Sequence, residues 1–99
     1  MLRETAMRGI GRYLIDEKFR GEPIHMHISE LAPGTASHAP HQHTGYEALY
    51  MLEGQATLSL NGRLFTLSSG EAVVFDPQHL HNLSNQSDTL IRYMVVQRP

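Results

Sequence analysis

The chain has 99 residues, of which 40% are hydrophobic and 18% charged, with a formal net charge of −2. That is enough for one domain burying roughly two-thirds of its unfolded surface; it lacks the basic footprint of a nucleic-acid binder and any apolar run near the roughly 18–20 residues of a membrane span. Without cysteine there is no disulfide framework and no thiolate ligand, and with no hydrophobic leader at residues 1–13 the composition fits a cytoplasmic protein.

The first dozen residues show no period and contain Gly9 and Gly11, which predicts an N-terminal arm over residues 1–11. Arg12 to Ile15 reads as a short strand, followed by a polar stretch, Asp16 to Glu22, and then Pro23. From Ile24 to Leu31 the residues alternate, with Ile24, Met26 and Ile28 on one side and His25, His27 and Ser29 on the other. That is a two-faced strand, and Pro33-Gly34 turns it. Glu47 to Leu52 is an apolar strand with Glu47, Leu49 and Met51 on one face and Tyr50 and Leu52 on the other. Ala56 to Leu60 pairs with Arg63 to Leu67 across Asn61-Gly62, the strongest short hairpin signal. Gly54, Gly62 and Gly70 read as turn glycines. Glu71 to Phe75 is a further strand, His79 to Ser84 is expected to be extended, and Thr89 to Val96 closes the chain. About eight strands with Gly, Pro and Asn turns and no helical period predict an all-β sandwich or barrel.

Seven histidines are the compositional outlier. His41-Gln42-His43-Thr44-Gly45-Tyr46-Glu47 places two imidazoles on one face of an extended segment, and a bend at Thr44-Gly45-Tyr46 can bring Glu47 to them. A second cluster, His79, His81 and Asn85, can supply a fourth ligand. The combination reads as a metal site.

The assembled residues resemble the cupin family. Six residues separate Gly34 from His41, then come His43, three residues, Glu47, six residues and Gly54. That pattern is similar to the family's first motif, with a first spacer one residue longer than usual. Gly70, Asp76, Gln78, His81 and Asn85 stand at the offsets of the second motif, with Asp76 and Gln78 replacing its Pro and second Gly, and Pro77 one place late. The resemblance implies a double-stranded β-helix, or jelly-roll barrel, as a single domain over residues 1–99. It also implies one divalent transition metal ion held by His41, His43, Glu47 and His81, with Asn85 fixing the turn after the His81 strand.

Three imidazoles and a carboxylate suit Fe, Mn, Ni, Co, Cu or Zn. Two positions on an octahedral ion stay open, and the residual positive charge favours small oxygenated or anionic molecules. Dioxygenase, isomerase and lyase chemistry all fit; the alternative is a non-catalytic small-molecule-binding or sensor module, with a storage-type barrel third. A regulator reading is weakened by the lack of a DNA-binding segment in the sequence. His25 and His27, on one strand face, and His79, at the parity of His81, are the candidate catalytic histidines. His38, before Pro40, reads as a surface residue, and Tyr46 as a packing residue. A homodimer is expected, through a sheet face or exchange of the arm, with a small molecule as the other partner and neither nucleic acid nor membrane. Imidazoles must be neutral to bind, so metal should leave below pH of about 6.

Overall fold

Alternation of apolar and polar side chains drives the architecture, because each β-strand can bury only one face. The computed structural model describes residues 3–6 and 10–98, with side chains from Arg20 onward. All the regular structure among these residues is β-strand: β1 (Arg3–Ala6), β2 (Ile10–Phe19), β3 (Glu22–Leu31), β4 (Tyr46–Glu53), β5 (Gln55–Leu60), β6 (Arg63–Ser68), β7 (Ala72–Phe75), β8 (His81–Ser84) and β9 (Ile91–Arg98). They form a six-stranded sheet, in the order β1-β2-β3-β9-β4-β7, and a three-stranded sheet, β6-β5-β8. The result is the all-β, two-sheet jelly roll expected. No helix among the described residues is long and apolar enough to cross a membrane.

Between the sheets lies one core. The large sheet contributes Leu31, Leu49, Met51, Phe75, Ile91, Tyr93 and Val95, and the small sheet Ala56, Leu58, Leu67 and Leu83. The parity read for β4 holds: Leu49 and Met51 are buried while Tyr50 is exposed.

The Asn61-Gly62 hairpin forms as expected, with both residues at positive φ (52° and 83°) and Leu60 opposite Arg63. A second hairpin of the same kind corrects the reading of the N-terminal third. β2 runs on through Phe19, and Arg20-Gly21, at φ 53° and 80°, turns it directly into β3. The polar stretch after Ile15 is strand because backbone pairing with β3 does not require apolar side chains. Of the arm at residues 1–11, positions 1–2 and 7–9 lie outside the described residues. Residues 3–6 form β1, which pairs with β2 of the same chain.

The long segment between β3 and β4 is irregular but firmly stitched. The Gly34 N–H donates to the Asn85 carbonyl, the Ser37 N–H to Leu83, and the Asn85 N–H to Thr35, at 2.8, 2.9 and 2.8 Å. His41 and His81 exchange both of their backbone hydrogen bonds, at 3.0 and 2.8 Å. The segment therefore runs along the free edge of β8 and carries its histidines to the mouth of the core.

Asn85 is fully buried and anchors this seam. Its Nδ2 donates to the carbonyls of Leu31 (2.9 Å) and Thr89 (2.7 Å), and its Oδ1 accepts from the N–H and hydroxyl of Ser87 (3.0 and 2.6 Å). Every polar group of the amide is satisfied, as a buried amide requires.

Candidate metal centre

Three chain segments meet at one end of the sandwich. The segment before β4 brings His38, His41 and His43; the start of β4 brings Glu47; the start of β8 brings His81. Gly45, at φ 98°, makes the bend that sets Glu47 beside His43, and His43 Nε2 lies 3.3 Å from Glu47 Oε1.

His81 is the most constrained member. It is buried, its Nδ1–H donates to the His79 carbonyl at 2.8 Å, and the Phe75 ring packs against its edge at 4.9 Å between centroids. Its Nε2 is buried with no hydrogen-bond partner, 3.9 Å from Glu47 Oε1. His43 is oriented in the same way, with Nδ1 2.9 Å from the Thr44 carbonyl. A carbonyl can only accept, so each Nδ1 carries the hydrogen and each Nε2 presents a lone pair. Two imidazole lone pairs and a carboxylate oxygen therefore converge on one point. The Gln97 amide reaches two of these acceptors, His43 Nε2 and Glu47 Oε1, while His81 Nε2 has no donor; such a cluster favours a cation, and carbonyl-oriented imidazoles are the usual outer support of metal-binding histidine. The donor set fits a divalent ion: the ligand atoms of His43, Glu47 and His81 all lie within 4.8 Å of one another.

His41 is turned differently. Its ring stacks on His38, with centroids 3.6 Å apart, and lies 4.7 Å from His81 and 5.1 Å from His43. Its ligating atom groups with those of His38 and His81, again within 4.8 Å. Three of the four expected ligands, His43, Glu47 and His81, thus stand together, and the fourth, His41, borders them through His81.

The electrostatics follow from the crowding. His41 is pulled down to about 4, first by desolvation and then by His38, His81 and His43. Burial pushes the Glu47 carboxyl up, against the opposing pull of His81 and His43. Burial likewise raises the Tyr93 phenol to about 12, with Ser29 opposing and Glu47 adding to the shift.

The catalytic candidates are placed apart from this cluster. Register puts His25 on the inner face, in the row Glu47–Gln97–His25, and His27 in the row Leu49–Val95–His27. At about 4.8 Å per strand each stands about 10 Å from β4. Desolvation, then His25, holds the His27 imidazole below its ordinary value. His79 does not share the parity of His81, because the chain turns rather than extends before β8. The Gln78 N–H caps Asp76 Oδ1 at 2.9 Å, the His79 N–H returns to the Asp76 carbonyl at 3.2 Å, and His79 is exposed. Its contribution is its carbonyl, which orients His81.

His38, read from sequence as a surface residue, is placed differently by the structure, and Gln97 escaped the sequence altogether. His38 is half-buried and stacked, with Nδ1 2.7 Å from the Ala39 carbonyl; the signal was its place three residues before His41. Gln97, opposite Glu47 on β9, sets its Nε2 3.3 Å from His43 Nε2 and 3.5 Å from Glu47 Oε1. Only register reveals it. Tyr46 is exposed beneath the Arg98 guanidinium, 5.5 Å from its ring centre, in a groove of about 450 Å³ with Val74, Phe75 and Gln78.

The cupin domain family model matches residues 27–97. The chain is 26% identical over 96 residues to the HTH-type transcriptional regulator PuuR of Escherichia coli (strain K12), covering 97% of this chain and 52% of the regulator. The chain thus spans about half the length of that relative. A cupin domain of an XRE family transcriptional regulator from Enterobacter cloacae superimposes with a TM-score of 0.81 at 19% identity, covering 94% of this chain and 98% of that one. The polyketide cyclase RemF from Streptomyces resistomycificus superimposes with a TM-score of 0.80 at 24% identity, covering 98% and 73%.

Proposed function

Because this chain belongs to the cupin family, we propose that it is a divalent-metal-binding cupin acting on a small oxygenated or anionic metabolite. His41, His43, Glu47 and His81 are the ligands in this reading. The observation that carries it is the convergence of two carbonyl-oriented imidazole lone pairs with the Glu47 carboxylate, one of them the partnerless Nε2 of buried His81. Bound there, a divalent ion supplies Lewis acidity to a ligated oxygen, which suits dioxygenase, isomerase or lyase reactions. The chain's own part is to orient and exclude water: Gln97 positions His43 and Glu47, while Leu49, Val95 and Phe75 form a dry floor.

Metal analysis of protein purified without a metal-affinity tag, beside the Glu47→Gln/His81→Ala variant, tests this. About one equivalent in the native chain, lost in the variant, supports it. No metal, and none taken up on reconstitution, refutes it.

A second reading is a ligand-sensing module without catalysis, favoured by the two regulators among the relatives. A metal-bound water that small oxygenated molecules displace without turnover would select it. Pairing of two copies belongs to either reading. The outer face of the large sheet carries the rows Met26–Val96–Ala48–Val74 and Ile28–Met94–Tyr50–Ala72. Val74 is 75% exposed there and Tyr50 39%. A contiguous apolar face of this kind suits a homodimer interface.

A further inference from the structure

We propose that the chain carries a second, outer metal seat formed by His38, His41 and His81, which competes with the inner seat for one ion. This rests on the metal-centre reading above and extends it to His38. The ligand atoms of the three histidines lie within 4.8 Å of one another. Nitrogens on one tetrahedral Zn²⁺ stand about 3.4 Å apart, so side-chain adjustment closes the group on an ion. His38 is prepared for the role. Its Nδ1–H donates to the Ala39 carbonyl at 2.7 Å, which leaves Nε2 as the ligating atom, and its ring stacks on His41 at a tilt of 24° between planes.

The partnerless, buried Nε2 of His81 points to a ligand independently of the histidine count. Both seats draw on it, as both draw on His41, and it is the buried one of the two. With Nδ1 committed to the His79 carbonyl, His81 has a single lone pair, so it serves one ion at a time. The seats differ in chemistry. The inner one contains the Glu47 carboxylate and suits harder ions such as Mn²⁺, whereas the outer one is all imidazole and suits Zn²⁺, Ni²⁺ or Cu²⁺. It is also nearer solvent, since His41 is exposed and His43 and Glu47 are not. His38 thus gives this chain a way to take a borderline ion without its carboxylate.

The test is calorimetric titration of the full chain with Zn²⁺ and with Mn²⁺, using the native protein, His38→Ala, Glu47→Gln and the double variant, each checked for its β-sheet spectrum. Loss of an outer-shell partner alone weakens metal binding about 10–100-fold, and loss of a direct ligand should do at least as much. The native chain should bind one equivalent of Zn²⁺. Glu47→Gln should still bind Zn²⁺, and adding His38→Ala should then weaken it about tenfold or more. His38→Ala alone should leave Mn²⁺ affinity nearly unchanged. If His38→Ala has no effect on Zn²⁺ in the Glu47→Gln background, or Glu47→Gln alone abolishes Zn²⁺ binding, the outer seat is refuted while the inner one stands. Two equivalents of Zn²⁺ would overturn the sharing of His81. A native chain that binds neither ion refutes the metal centre, and the outer seat with it.

Discussion

Replacing Gly54 with alanine should destabilise the fold more than a turn glycine can explain. Gly54 has φ +82°, so any Cβ there carries left-handed strain of about 1–2 kcal/mol. The added methyl would also stand 2.7 Å from Ile91 Cγ2, 3.3 Å from its Cβ and 3.4 Å from its Cα. Ile91 is fully buried and β-branched, so neither rotamer nor backbone yields easily. Overpacking of this kind costs about 1–3 kcal/mol beyond the strain. Gly70 is the matched control, with φ +86° and nothing within 4 Å of its virtual Cβ. Gly70→Ala should therefore lose only the strain term, about 1–2 kcal/mol, and Gly54→Ala about 2–5 kcal/mol. Urea unfolding at constant m-value measures both. Equal losses, within about 0.5 kcal/mol, would refute the claim that the end of β4 is pressed against Ile91.

Asn85→Ala removes four hydrogen bonds from a buried amide and should cost about 2–5 kcal/mol, read as a lower Tm; Asn85→Asp, which loses both donors, should not rescue it. In metal-free protein Glu47→Gln should stabilise the fold at neutral pH. The raised Glu47 carboxyl contributes stability that is present below its ordinary 4.5 and lost as pH rises through the higher folded value, so the gain should vanish in acid urea titrations and its presence there would contradict the shift. Tyr93, raised to about 12, should stay un-ionised in ultraviolet titrations beyond its ordinary 10.0, and the stability it lends should be complete below 10.0 and lost toward about 12. If the native chain pairs through the outer sheet face, light scattering should show a native dimer and a Val74→Asp monomer, and an unchanged dimer mass in the variant would remove that face as the interface.

Much of the fold was legible because its strands alternate and its tightest turn is written as Asn61-Gly62. The motif that ends at Gly54 was legible too, but its physical reason was not, since it lies in an approach to Ile91 from far along the chain. The extension of β2 was hidden because Arg20-Gly21 lacks the usual turn signature while adopting the same positive φ values. His79 was misplaced by assuming an extended segment where the Asp76 cap makes a turn. Gln97 needed the β4–β9 register, which no local pattern contains. His38 needed the stitched path along β8, which folds a loop histidine back onto a ring three residues on.

The part least visible in sequence concerns which ligands are fixed and which can move. His81 is held from every side: its backbone is bonded to His41, its Nδ1 to the His79 carbonyl, and its ring is packed by Phe75. Glu47 sits on β4 between β9 and β7, so it is nearly as constrained. The remaining imidazoles ride on an irregular segment whose backbone is pinned only at intervals, by Thr35, Ser37, His41 and His43. Between pins, side-chain rotation is the soft coordinate. A site with two anchored imidazoles, His43 and His81, one rigid carboxylate and the stacked His38–His41 pair on a loop has the ingredients to change its ligand set with the ion it meets. On that reasoning, in the proposed metal centre the loop from His38 to His43 would set metal preference, and substitutions there should alter that preference more than they alter fold stability.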